Sequence, residues 1–333
     1  MKQGTCLLTL MVFLVAVLGA TPVLSKTLKV GLVTDVGKID DKTFNEFAYT
    51  GMKKAADEFK LKTSFIETQQ PTDYDKNIEQ FINEGYDVVI TVGFMLGDAT
   101  KRMAEKHPDK KFVIVDFAYD PPLPNVVGLV FAENQSGFMA GALAGLMTRS
   151  NVIGMVAGME IPPVIKFRKG YEAGAKHVNP ECEVLGVYID SFTDPARGKT
   201  AALSQIEEGA DIIFGAGGLT GTGGIQGAAG EGAWVIGVDQ DEYYTSFKGG
   251  KFKGADRIIS SAMKRVDNAV YQALEMVVKD RFKGGVKVFD ITNAGIGLAP
   301  FHEAESQIPA DVKTKLKGIA ADLKIGKIKA PGL

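Results

Sequence analysis

Leu28-Lys29-Val30-Gly31-Leu32-Val33 is a near-continuous apolar run, residues 42–59 carry a helical pattern, and Lys62-Thr63-Ser64-Phe65-Ile66 opens the next β-branched run. A strand buried on both faces of a parallel sheet reads in this way, rather than as an alternation of polar and apolar residues. The unit recurs along the chain. Further runs lie at residues 87–92, 112–115, 126–130, 152–156, 184–189, 211–214, 234–238 and 257–259, and helical patterns at 74–84, 137–147, 165–177 and 262–278. Strand and helix in strict alternation predict a doubly wound α/β fold. One sheet is expected up to about residue 131 and another from about 152 to 238, with short strand-like pieces from Val286 and a last amphipathic helix over 310–323.

The chain has 333 residues, and single cores stop growing at roughly 250–300 residues, which favours two lobes with a cleft between them. Its formal net charge is −2 with 38 Lys and Arg against 40 Asp and Glu, and it holds no run of five or more like charges. No nucleic-acid partner is expected, nor an anionic membrane surface. With 45% hydrophobic residues and 2 Cys, the composition is that of an ordinary globular protein, not of a disordered chain or a disulfide scaffold.

Residues 1–25 read differently. Lys2 is their only charge, residues 6–20 are almost wholly apolar, and Val23-Leu24-Ser25 is a small-residue exit. This is the pattern of a secretory signal cleaved after Ser25. An uncleaved anchor is the alternative, against which stands the need for ~20 apolar residues to span a bilayer. Cys6 stands at the start of the apolar run and not after it, so no lipobox is expected, and Cys182 remains as a lone thiol expected to be buried and inert.

Catalytic templates fail on inspection. Gly198-Lys199-Thr200 ends like a phosphate-binding loop, but Thr193 stands where its first glycine must be. There is no Gly-x-Ser-x-Gly, no His-Glu-x-x-His and no cysteine pair at metal spacing. No catalytic residue, metal or cofactor is expected, and His107, His177 and His302 read as solvated. Gly221-Thr222-Gly223-Gly224-Ile225-Gln226-Gly227 approaches a dinucleotide fingerprint, yet Gln226 occupies the third glycine's place. As a loop at a helix N-terminus it would still offer backbone N–H groups to another ligand. The small-residue helix 137–145 reads first as a close-packing surface.

In a doubly wound sheet, ligands bind beyond the carboxyl ends of the strands. The residues there are Asp35, Gly93, Phe94, Asp116, Asp190, Phe192, Gly217, Gly218 and Asp239. Four carboxylates and two aromatic rings suit a polyhydroxylated or heterocyclic ligand, because carboxylates accept from O–H and N–H groups and rings offer a stacking face. Phe44 and Asn45 open the helix after the first run, between Thr43 and Glu46 as outer members of a capping box. Phe44 reads either as a staple on its own helix or as a recognition residue. Asp116 and Asp239 read either as helix N-caps or as ligand acceptors.

Five ordered blocks carry a resemblance: residues 35–46 (DVGKIDDKTFNE), 137–141 (GFMAG), 192–199 (FTDPARGK), 236–241 (IGVDQD) and 260–264 (SSAMK). Together they resemble the basic membrane protein (BMP) family of ABC-transporter substrate-binding proteins, of the purine nucleoside receptor A type, over essentially the whole mature chain. The resemblance implies a type I periplasmic binding protein: two Rossmann-like lobes joined by a three-crossover hinge. The lobes would comprise residues 26–133 plus 261–290 and residues 134–260 plus 291–333. It implies that Phe44 and Phe192 sandwich a purine, that Asn45 and Asp116 read its edge, and that Asp35, Asp239, Lys264 and the Gly217 region hold the ribose. Lys264 would either touch the ribose or pair with Asp239.

Thr43, Glu46 and Glu242 depart from the usual Ser, Gln and Gln of that family, and Glu242 would add negative charge near the mouth of the cleft. The implied function is capture of guanosine, inosine or adenosine in the periplasm of a Gram-negative cell and delivery to an inner-membrane permease. The receptor would be a soluble monomer that does no chemistry on its ligand. The alternatives are a receptor for a free base, sugar or other small solute, and an exported nucleoside-processing enzyme.

Overall fold

A computed structural model describes residues 27–332. The expected signal segment, its cleavage site and Cys6 lie outside the described residues.

The first sheet begins with β1 (Lys29–Val36), α1 (Phe44–Phe59), β2 (Lys62–Thr68), α2 (Tyr74–Asn83), β3 (Val88–Val92), α3 (Gly97–Lys106), β4 (Lys111–Val115) and β5 (Val126–Phe131). The chain then crosses into α4 (Glu133–Met147), β6 (Val152–Ala157), α5 (Pro162–Val178), β7 (Glu183–Tyr188), α6 (Pro195–Glu207), β8 (Ile212–Ala216), α7 (Gly218–Gly230), β9 (Trp234–Asp239) and β10 (Ile258–Lys264). It returns through α8 (Val266–Val278) and β11 (Gly285–Phe289), and crosses once more to β12 (Ile296–Leu298) and α9 (Ala310–Lys324).

Two six-stranded sheets result, ordered β11-β5-β4-β3-β1-β2 and β12-β10-β9-β8-β6-β7. Each pairing is parallel except β10 with β12. The central strands β3 and β8 are buried at every position, which is why they read as unbroken apolar runs. In each sheet the order reverses beside a central strand, β1 with β3 in the first and β6 with β8 in the second. Those switch points are where crevices form.

Two expectations about boundaries change. Residues 262–264 belong to β10, not to the following helix, because Ala262, Met263 and Lys264 pair with both β9 and β12 or with β12 alone. The return crossing therefore falls at Arg265, a few residues beyond 261, and α8 packs on α1 of the first lobe. The glycines at 221–227 are not a loop: they lie inside α7, where a Cβ on Gly223 would come within 2.3 Å of the Pro195 carbonyl oxygen. They let α6 and α7 approach closely, and they offer no cradle for a phosphate.

The small-residue helix α4 packs against α5. A Cβ on Gly141 would lie 1.9 Å from the Tyr171 carbonyl oxygen, and one on Gly174 2.0 Å from that of Phe138. Cys182 is buried and unpaired, as expected, and burial raises its thiol pKa above the ordinary value. The crossings are tied together at α4, where the Ser136 hydroxyl bonds the Met263 and Gly297 carbonyls and Gln135 accepts from Ile291 N–H. Glu133 and Asn134 form the first turn of this helix.

Candidate binding cleft

The strand ends of the two sheets face one another across a cleft that holds about 650 Å³ of empty space, its open mouth included. The eight residues that the resemblance assigns to a ligand all line it: Asp35, Phe44, Asn45 and Asp116 from the first lobe, Phe192, Gly217, Asp239 and Lys264 from the second.

On the first lobe, Asp41 organises the wall. Its carboxylate accepts from the backbone N–H groups of Thr43, Asn45 and Glu46 at 3.0, 2.9 and 3.1 Å. It thereby caps α1 in place of Thr43, whose side chain makes no cap bond. Glu46 instead accepts from Lys42 N–H, so the expected capping box is absent. The cap fixes Phe44 and Asn45 on the first turn of α1, facing the cleft. The Asn45 amide faces Asp35 and works against the rise of its pKa. Asp35 in turn sits against Gly93, where a Cβ would come within 2.2 Å of Oδ2.

On the second lobe, Phe192 is held against α7 because its carbonyl accepts from Thr220 N–H and the Thr220 hydroxyl donates to Ser191 O. Its ring lies on Gly158, where a Cβ would meet Cε1 at 2.3 Å. Ile161, Pro163, Val164 and Phe167 complete an apolar wall. Asp116 and Asp239 both have left-handed backbones, with φ of 69° and 63°. They end β4 and β9 and cap no helix. Such backbone geometry is held only where the surroundings over-determine it, and it recurs at ligand sites.

Lys264 is the one cation among the described residues lining the cleft. It does not pair with Asp239. Its ammonium is 2.6 Å from Asp116 and 3.0 Å from Glu133, and 5.0 Å from the centroid of the Phe44 ring. Burial disfavours the charged ammonium, but Asp116, Glu133 and Asp239 together keep its pKa above the ordinary lysine value.

The carboxylates respond in the opposite direction. Burial raises Asp116 to about 6 against the pull of Lys264, Asp41 to about 6 against its three backbone bonds, and Asp239 to about 8. Asp35 is raised well above the ordinary value, first by burial and then by Asp41 and Asp116. So many buried acceptors around one already paired lysine suit a ligand rich in donors.

Three expectations fail at the site. Asp190 lies two residues beyond β7, an edge strand of its sheet, and its exposed carboxylate pairs with Arg197 at 2.7 Å. Glu242 is buried, not near the mouth; it accepts from the Thr222 and Ser246 hydroxyls and from Val238 N–H. His302 is not solvated either, since its Nε2 lies 2.7 Å from Asp241 and its ring stacks on Tyr243. Asp41 and the 161–167 wall are cleft residues that the sequence analysis missed.

Residues 28–332 match a family model, Bmp, described as ABC transporter substrate-binding protein PnrA-like. The chain is 33% identical over 318 residues to the ABC transporter nucleoside-binding protein BmpA of Lactococcus lactis subsp. cremoris, covering 91% of this chain and 89% of the relative. It is 32% identical to basic membrane protein A1 of Borrelia garinii subsp. bavariensis, covering 89% and 86%. Among solved structures it resembles an ABC transporter solute-binding protein from Aeropyrum pernix K1, with a TM-score of 0.81 and 27% identity over 91% of this chain and 94% of that one. Two α/β lobes with three crossings are the architecture of a type I periplasmic binding protein.

Proposed function

The chain belongs to the Bmp family of PnrA-like ABC transporter substrate-binding proteins, and on that premise we propose that its cleft captures a purine nucleoside for an ABC importer. Phe44 and Phe192 flank the base from opposite lobes. Asn45 and Asp116 meet its edge, and Asp35, Asp239 and the Gly217 backbone take the ribose hydroxyls. Lys264 pairs with Asp116 and Glu133, and its charge opposes the protonation of Asp116 that burial favours.

The observation that carries this reading is the convergence on one cleft of two aromatic side chains and several buried carboxylates from both lobes. Aromatic stacking contributes ~1–3 kcal/mol per base, and a deoxy or free-base analogue would leave buried acceptors unpaired. Closure of the lobes buries the ligand, and the closed form docks on a permease in the inner membrane. The receptor works as a soluble periplasmic monomer after removal of residues 1–25, and it returns its ligand chemically unchanged.

The name of the Lactococcus relative supports a nucleoside over the alternatives of a free base or a sugar. A ligand that binds the folded state raises its melting temperature. Melting the refolded protein with inosine, adenine or ribose is expected to show a rise with inosine alone. A rise with ribose alone or adenine alone would replace the nucleoside by that fragment, and accumulation of free base from inosine on long incubation would make the protein an enzyme.

A further inference from the structure

The loop after β9 reaches across to the first lobe. The Gln240 amide donates to the Thr43 carbonyl at 3.1 Å, and the Thr245 hydroxyl to the Lys42 carbonyl at 2.9 Å. Neither Gln240 nor Thr245 lines the cleft. Glu242 anchors the root of the loop, accepting from Val238 N–H and donating its own N–H to the Ser261 hydroxyl. The other face of the loop is held from far along the chain. His302 Nε2 lies 2.7 Å from Asp241 Oδ2, and its ring stacks on Tyr243 with centroids 4.1 Å and planes 12° apart. The Tyr243 hydroxyl donates to Glu303 at 2.8 Å. The Asp241 and His302 side chains are only 20% and 12% exposed, so this is not a solvated surface pair. Asp241 Oδ1 is buried without a partner, and His302 is the one donor to that carboxylate among the described residues.

We propose that His302 is a positioning residue for ligand capture: from outside the cleft it clamps the 240–245 loop where Gln240 and Thr245 bridge to the first lobe. A carboxylate only accepts, so Nε2 carries the proton that holds Asp241. The Asp241 carbonyl accepts from Tyr244 and Thr245 N–H at 3.0 and 3.4 Å, which ties the position of Thr245 to that of Asp241. Without His302 a largely buried carboxylate has no donor, and turning it toward water relieves that cost. Gln240 and Thr245, on either side of it, move with it. His302 itself lies outside the cleft lining, so its loss falls on the bridge between the lobes and not on contacts with the ligand. A ligand that needs the closed form then binds more weakly, because that form is less populated.

Measured through affinity, the clamp rests on the nucleoside reading, and calorimetric titration with guanosine in two backgrounds tests it. His302→Asn suits the left-handed backbone at this position, where φ is 47°, and is too short to reach Asp241. In the otherwise wild-type chain it is expected to weaken guanosine binding about 2- to 10-fold. In a Gln240→Ala/Thr245→Val chain, which has no bridge left to position, it is expected to change affinity by less than about 2-fold. An equal loss in both backgrounds would make His302 a support of the second lobe alone and overturn the proposal, as would no loss in the first. Tyr243→Phe keeps the stack and removes the bond to Glu303; it is expected to show the same dependence on background, and it takes the place of His302→Asn if that protein does not fold. If the wild type binds no guanosine, the nucleoside reading fails on its own and small-angle scattering of the ligand-free chain tests the clamp. The radius of gyration is then expected to rise in His302→Asn as in Gln240→Ala/Thr245→Val, and a wild-type value in His302→Asn would overturn it.

Discussion

The side chain of Gln240, in the second lobe, donates to the carbonyl oxygen of Thr43, in the first, at 3.1 Å. A second bond runs parallel to it, from the Thr245 hydroxyl to the Lys42 carbonyl at 2.9 Å. Both carbonyls belong to a turn in which Lys42 has a φ of 65° and which Asp41 caps with three hydrogen bonds. The lobes are thus latched by the chain's own groups beside the cleft, and the turn that receives the latch is the one that carries Phe44 and Asn45. A bond present only in the closed form adds to the apparent affinity of any ligand that needs that form.

Gln240→Ala and Thr245→Val each remove one bond across the lobes, worth ~0.5–1.5 kcal/mol. Each is expected to weaken nucleoside binding by about 2- to 10-fold, and to raise the radius of gyration of the ligand-free protein. Titration calorimetry and small-angle scattering measure the two effects. Unchanged values in both variants would show that the latch does not hold the lobes.

Lys264 stands between Asp116 and Glu133, with the Glu133 side chain 1% exposed. Lys264→Met leaves two buried carboxylates without their shared cation, although Lys166 keeps a 3.3 Å contact with Glu133. Breaking a buried pair costs ~3–5 kcal/mol, and a loss of that order is expected in urea denaturation. Adding Asp116→Asn should recover part of it, since one of the stranded charges is then gone.

The carboxylates set a pH dependence whose sign follows from their raised values. Asp239 titrates at about 8 in the fold against ~3.9 when unfolded. Its folded form therefore binds a proton that the unfolded chain has lost. That contribution to stability is complete below about pH 4 and is lost as the pH rises through 8. Asp41, Asp116 and Glu242, at about 6, 6 and 7, act in the same direction at lower pH. The ligand-free protein is expected to melt lower at pH 8.5 than at pH 5. Asp239→Asn, which keeps a side chain tolerant of the left-handed backbone, should raise the melting point at pH 8.5 by at least ~2 °C for each kcal/mol of repulsion relieved and change little at pH 5. Differential scanning calorimetry at the two pH values decides it.

Phe44 and Phe192 are partly exposed, and each packs on the margin of its own lobe's core. Alanine at either position is expected to weaken nucleoside binding about tenfold or more, as loss of a base–aromatic stack does. The melting temperature of the ligand-free protein should fall as well, because each ring also packs on the margin of a core, so affinity is compared at a temperature where both variants are folded. A variant that binds normally would remove its ring from the stacking pair.

The parts of the molecule that could be read from sequence are those in which local pattern and tertiary role coincide. β3 and β8 are buried on both faces and read as apolar runs. Asp35, Asp116 and Asp239 reach the cleft because the ends of central strands in a doubly wound sheet converge there. Asp190 has the same local signature, but β7 lies at the sheet edge, and strand order is not encoded in the strand itself. The run at 257–259 marks the start of β10, but Ser260-Ser261-Ala262-Met263-Lys264 has neither β-branched residues nor a clear period, so its extension to Lys264 becomes visible only through pairing with β9 and β12. Asp41 is turned inward by three backbone N–H groups at a helix start, and the partner of Lys264 depended on how the crossings meet at Glu133. The Asp41 cap is local, whereas the Lys264 contact, made between segments far apart in the chain, leaves no mark on either segment.

The account stands most directly on the calorimetric titration of the chain from Lys26, unfolded and refolded to strip any carried ligand, with guanosine and with ribose. Saturable one-to-one binding of guanosine, without heat from ribose, is the predicted result. No heat from guanosine, or equal binding of ribose, would contradict the assignment of this cleft to a purine nucleoside.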